Sequence, residues 1–159
     1  SSVCLSALLL QQIRSSDHTK IRGIYDHELC ASNIVCRWSS FNHSCYLLSE
    51  SFGSWDAARK DCKDRGADLV VIDSAEEQTF LSTITTKDAW IGLNDKEQEG
   101  TWKWVDGTPL TLTYWASGQP DNGGEEDCAH VIWDKQKSWN DLSCSSSRQW
   151  ICEKVSENN

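Results

Sequence analysis

Methionine is absent from this chain, including at position 1. A sequence without its initiator is expected to be a fragment or a processed product. No C-x-x-C pair occurs, no two histidines stand at helical spacing, and no glycine-rich run has the form of a phosphate loop. These absences remove the common zinc and nucleotide readings. Long apolar runs are lacking too: Val3-Cys4-Leu5-Ser6-Ala7-Leu8-Leu9-Leu10 is far shorter than the roughly 20 residues a bilayer span requires. Basic charge is scarce, with 15 Lys and Arg against 24 Asp and Glu and a net charge of −9. Nucleic acid and anionic membrane surfaces both need a basic face, so neither is an expected partner.

What the chain does hold is cysteine and clustered acid. At 159 residues it accommodates one domain and a short extension. Eight cysteines without metal-site spacing predict disulfides, and hence an oxidising, extracellular setting. Asn42-His43-Ser44 is an N-glycosylation sequon with Asn42 as acceptor. Asp121, Asn122, Glu125, Glu126, Asp127, Asn140 and Asp141 crowd acids and amides that would repel one another unless a cation sat among them. Gln119-Pro120-Asp121, Glu126-Asp127-Cys128 and Trp139-Asn140-Asp141 together offer the carboxylate and amide oxygens that calcium takes at roughly six to eight positions. The competing reading is a solvated acidic loop; the mixture of amides with acids favours the ion. Enzymatic function is not expected, because acids saturated by calcium leave no free base and no nucleophile is paired with a histidine.

Along the chain, residues 1–35 stand apart as a stalk or membrane-proximal extension, an apolar start followed by a mostly polar stretch. The apolar start is open to three readings: the end of a membrane span, a remnant of a signal sequence, or the beginning of a helical stalk. Residues 36–154 read as a mixed α and β domain, and 155–159 as a tail. Ser39 to Leu48 is an expected hairpin. Ser54 is a good N-cap for a helix presenting Trp55, Ala58 and Cys62 and stopped by Gly66. Leu69 to Ile72 reads as a strand, and Ser74-Ala75-Glu76-Glu77 as a capping box opening a second helix that carries Phe80, Leu81 and Ile84. Short strands are expected at Trp90–Leu93, Thr101–Val105, Cys128–Trp133 and Gln149–Glu153. Between them Asp106 to Asp127 is a long irregular segment of the kind that carries function or needs an ion to order it. Of nine tryptophans, at least six are expected in the core, with Trp115 and Trp133 as surface candidates.

Cys45-Tyr46, Cys62, Trp90-Ile91-Gly92-Leu93, Gly100-Thr101-Trp102-Lys103-Trp104, Gln119-Pro120-Asp121, Glu126-Asp127-Cys128, Trp139-Asn140-Asp141 and Trp150-Ile151-Cys152, in that order, closely resemble the C-type lectin family. The resemblance covers about residues 36 to 154 and is strongest to its vertebrate membrane lectins of the DC-SIGN and asialoglycoprotein-receptor kind. It implies an α+β fold in which two helices flank short antiparallel sheets, with a long calcium-ordered loop and disulfide staples. The implied bridges are Cys36–Cys45, Cys62–Cys152 and Cys128–Cys144, which leaves Cys4 and Cys30 to pair with each other or to join two chains. It also implies a secreted protein or the ectodomain of a type II membrane protein, and homo-oligomers formed through the N-terminal segment, since one shallow sugar site binds weakly without avidity.

For the site, the resemblance implies one calcium held by Gln119, Asp121, Glu126, Asn140 and Asp141, with a cis peptide before Pro120. A second, auxiliary calcium is implied at Asp95, Glu99, Asn122 and Asp127. A vicinal diol can replace two calcium-bound waters while its protons go to carboxylates and its lone pairs accept from amides. The order Gln119 then Asp121 implies galactose or N-acetylgalactosamine glycans, and His130 stands where relatives meet the acetamido group. The sequence departs from galactose-binding members at Asn122-Gly123-Gly124, where they place an aromatic; a missing stacking ring costs about 1 kcal/mol. Two other functions on the same fold remain open at this point: a lectin-like receptor for a protein ligand, and an ice-binding protein.

Overall fold

A computed structural model of the chain describes residues 38–133 and 138–155. Cys4, Cys30, Cys36 and the N-terminal extension fall outside the described residues.

The chain opens with the expected hairpin, β1 (Ser39–Phe41) and β2 (Ser44–Leu48). The sequon's Asn42 lies exposed in its turn with a left-handed φ of 50°. Helix α1 (Trp55–Asp64) begins where sequence placed it: the Ser54 hydroxyl accepts from Ala57 N at 3.2 Å, and the left-handed Gly66 follows its end. Trp55, Ala58 and Cys62 form its buried face. Helix α2 (Ala75–Ile84) is capped by Ser74, which accepts from Glu77 N. The expected capping box is shifted by one residue, because the Glu77 carboxylate takes the amide of Asp73 at 3.0 Å.

Strands β3 (Asp68–Leu69), β4 (Ala89–Asn94), β5 (Lys103–Trp104), β6 (Cys128–Val131), β7 (Trp139–Leu142) and β8 (Gln149–Val155) complete the elements. The spatial order is β1-β2-β8-β4-β6-β7, with β3 added to β8 and β5 to β4. Strand β8 closes the domain by pairing antiparallel with β2 and parallel with β4. Three strand expectations are corrected. Leu69–Ile72 contributes only Leu69 to a strand, although Val70 and Ile72 are buried, because Val70 bonds singly to Ile151 and Gly92 instead of entering a ladder. The Thr101 segment narrows to Lys103–Trp104, and β6 stops at Val131, leaving Trp133 outside.

Two clusters fill the interior. One centres on Ile91, Leu93, Trp104, Trp139 and Ile151, the other on Trp55, Cys62, Trp90, Trp150 and Cys152. Disulfides Cys62–Cys152 and Cys128–Cys144 form as implied, and Cys45 is disulfide-bonded. The first closes a separation of 90 residues and the second 16, worth about 4 to 5 and 3 kcal/mol in the chain-entropy picture. Gly92 joins the clusters at close quarters: an added Cβ would stand 2.8 Å from both Val70 O and a Val105 methyl. Of the two surface candidates, Trp115 is half-buried, its ring packed edge-on against Trp102 and Trp139, whereas Trp133 is 52% exposed.

Helix α2 does more than bury Leu81. Phe80 and Ile84 only partly enter the core, and Gln78 spans to β7, accepting from Trp139 Nε1 at 2.9 Å and donating to Ser138 Oγ. Beside it, Tyr46 donates to Glu77 Oε1 at 2.7 Å and reaches Glu153 Oε1 at 3.4 Å. One phenol proton cannot serve both acids fully. Burial pushes Glu77 up to about 7 and raises Glu153 too, against hydrogen bonds that favour their charged forms. A carboxyl raised on folding stabilises the fold in its protonated form, fully below the unfolded value and no longer once the pH passes the folded one. With chelator present, unfolding free energy should therefore fall from pH 5 to pH 8 by on the order of 2 to 4 kcal/mol. Urea titrations should show that slope flatten in Glu77→Gln.

Candidate cation and ligand site

The segment from Asp106 to Asp127 has no helix and only single bridges, yet it is pinned from several sides. Trp115 bridges Trp139, Ala116 N donates to Trp139 O at 2.8 Å, and the amides of Ser138 and Trp139 both donate to Tyr114 O. The rings of Trp104, Tyr114 and Trp115 all pack edge-on against Trp139. Strand β7, read in the sequence for its ligands and not as a strand, is thus the beam on which the loop rests.

The loop's tip is held by a carboxylate. Asp141, fully buried in β7, accepts from Asp121 N at 3.2 Å and Asn122 N at 2.8 Å. The Gln119–Pro120 peptide just before is cis. The turn then closes on itself: Gly123 N donates to Glu126 Oε2 and Glu126 N to Asn122 Oδ1, with Asn122 at a left-handed φ of 46°. In this arrangement Asp121, Glu126 and Asp141 bring one carboxylate oxygen each within 4.8 Å of one another. Among the described residues no ion pair reaches any of the three.

Gln119 joins them through Nε2, which donates to Asp121 Oδ2 at 3.2 Å. Its Oε1 is buried without a hydrogen-bond partner. A converging set of anionic oxygens with an orphaned amide oxygen beside it is the donor set of a hard divalent cation, so the residues fit calcium. Asn140, next to Asp141, turns its Nδ2 toward His130 Nε2 at 3.3 Å and the Asp141 carbonyl.

The second group of sequence candidates is looser. Asp95 is 3% exposed; its Oδ2 accepts from Gly100 N at 2.8 Å and its Oδ1 has no partner. Burial raises its pKa, with Glu99 and Asp127 adding repulsion. The backbone ties Asp95 N to Asp127 O at 3.1 Å. Asn122 lies instead with the first group, bonded to Asp141 and Glu126. His130 is 3% exposed, its ring edge-on to Trp90, and burial lowers its pKa. The loop-holding role of Asp141 and the His130–Asn140 contact were not seen in the sequence. The only signal for them is cross-strand register, which needs β7 to be recognised first.

Residues 33–154 match the sequence profile described as Lectin C-type domain. The C-type lectin domain family 4 member M of Hylobates lar is 45% identical over 131 residues, 76% of this chain and 32% of its own length. The chain thus spans about a third of that relative. Among solved structures, the mouse scavenger receptor C-type lectin carbohydrate-recognition domain superposes with a TM-score of 0.73 at 39% identity, covering 79% of this chain and 100% of that one. A calcium-independent type II antifreeze protein superposes at 0.71 with 30% identity, over 76% and 93% of the two chains. With its profile matched from before the first strand into the last, the chain belongs to the C-type lectin domain family.

Proposed function

We propose that this chain binds glycans outside the cell through a calcium ion held by Gln119, Asp121, Glu126, Asn140 and Asp141, and that galactose-type sugars are its preferred ligands. The carrying observation is the convergence of three carboxylates beside the unpartnered, buried Gln119 Oε1. When bound, calcium supplies open coordination positions for two neighbouring sugar hydroxyls. The chain's own residues do the rest. Asp121 and Glu126 accept hydroxyl protons, the Gln119 amide donates, and Asp141 keeps the loop backbone in register behind them.

The same reading gives Asp95, Glu99 and Asp127 an auxiliary calcium at the base of the loop, supported by the partnerless Asp95 Oδ1, while Asn122, bonded to Asp141 and Glu126, would link it to the first site. Glycosylation at Asn42 fits its exposed turn. The disulfides fit an extracellular domain, and among the described residues no helix is long and apolar enough to cross a membrane. Oligomers through the N-terminal segment would supply avidity. The likeness to an antifreeze protein is one of fold, and the density of acid in this loop is unlike the weakly charged face expected for ice binding.

Removing calcium should lower the melting temperature and abolish glycan-array signal together, because an ion that binds only the native state stabilises it by mass action. A melting curve indifferent to chelator, or glycan binding that survives it, would count against the site. Specificity is tested by exchanging Gln119→Glu with Asp121→Asn, which preserves charge and reverses the donor–acceptor order. The wild type should prefer galactose over mannose by on the order of 1 to 2 kcal/mol, and the exchange should shift preference toward mannose. Equal competition by both sugars before and after would remove these residues as determinants.

A further inference from the structure

His130 is a neutral-looking residue in a middle strand, yet its two nitrogens are both committed. It sits in β6 directly opposite Asn140 of β7 in the antiparallel register. Its Nδ1 faces the carbonyl of Val131 at 3.3 Å, and its Nε2 faces Asn140 Nδ2 at 3.3 Å. A carbonyl can only accept, so Nδ1 carries the proton. The neutral ring then has a lone pair on Nε2, which can only accept. Asn140 Nδ2 also meets the backbone carbonyl of Asp141. Both groups around this end of the amide are therefore acceptors. Rotating the amide by a half-turn would set Oδ1 against two lone pairs in a buried place, where such an arrangement is costly. Among the described residues, Asn140 Oδ1 accepts no hydrogen bond from the protein.

We propose that His130 is a positioning residue for Asn140: through Nε2 it fixes which end of the amide is held by the fold and so leaves Oδ1 free to serve as a cation ligand. The inference rests on the calcium reading of the site and replaces, for this chain, the expectation that His130 touches a sugar's acetamido group. At 3% exposure the imidazole lies behind Asn140 and is not open to a ligand. Outer partners of metal ligands typically account for about 10- to 100-fold in metal affinity. His130 is held in turn by the edge-on ring of Trp90 and by its own backbone neighbour, so the relay runs from Val131 through the imidazole to the amide.

The test is calcium alone, titrated into calcium-stripped full-length protein followed by calorimetry, with no sugar present. His130→Leu should weaken calcium binding at least about 10-fold, whereas His130→Gln, which can still offer an acceptor, should stay within a few-fold of wild type. Nitrogen-15 imidazole shifts of the wild type at neutral pH should show a proton on Nδ1 and none on Nε2, a readout that stands even if His130→Leu does not fold. Unchanged calcium affinity in His130→Leu overturns the proposal. So does a ring protonated at Nε2. A variant that alters only the preference for N-acetylgalactosamine over galactose, with calcium affinity intact, restores direct sugar contact and also overturns it. If the wild type binds no calcium, the calcium reading itself falls and takes this inference with it; a loss confined to His130→Leu leaves that reading standing.

Discussion

Among the described residues, Asp121, Glu126 and Asp141 bring carboxylates together with no ion pair to any of them, and this crowding of like charge is the interaction on which our account of the domain depends. Like charges brought this close repel, most where burial keeps water away, as at Asp141, and least where water reaches Asp121. In the reading proposed above, a divalent ion would turn that cost into a gain. The rest of the architecture serves to hold the acids close enough for this to matter. Asp141 is rigid because β7 is clamped between β6 and the aromatic packing on Trp139, and α2 reaches the same tryptophan through Gln78. Asp121 and Glu126 are more exposed, and their backbone amides are tied to the side chains of Asp141 and Asn122.

The scaffold and the loop therefore divide the work. Two disulfides and β8, paired to β2 on one side and to β4 on the other, make a frame held by covalent bonds and ladder hydrogen bonds. The loop has little secondary structure of its own and borrows order from Trp139, from Asp141 and, in our account, from calcium. Cys128 stands at the junction, ending the acidic run and starting β6, with its bridge to Cys144 fixing the far side of β7.

Local signals in the sequence were legible where the physics is local. Ser54, Gly66 and Ser74 punctuate helices because a hydroxyl cap and a left-handed glycine act within a few residues of themselves. The acid and amide composition of the loop was legible for the same reason, as was the cis peptide by family resemblance. Non-local features were not. Val70 to Ile72 is apolar because it is buried, and burial alone does not distinguish a ladder from a single crossing. The half-buried packing of Trp115 is not legible locally, because its partners Trp102 and Trp139 lie elsewhere in the chain. Strand β7 was hidden beneath its own ligand motif. With it went the register that sets His130 opposite Asn140 and the recognition that Asp141 holds loop backbone. The bridges Cys62–Cys152 and Cys128–Cys144 came from resemblance; cysteine spacing by itself permits many pairings.

If the sugar is bound by the ion and not merely near it, the two affinities must be thermodynamically linked. The most direct measurement is calcium titration of the metal-free protein with and without saturating galactoside. Calcium should bind more tightly in the presence of the sugar, and the sugar more tightly in the presence of calcium, by the same factor. Calcium affinity that is indifferent to galactoside while the sugar still binds would contradict coordination of the glycan through this site.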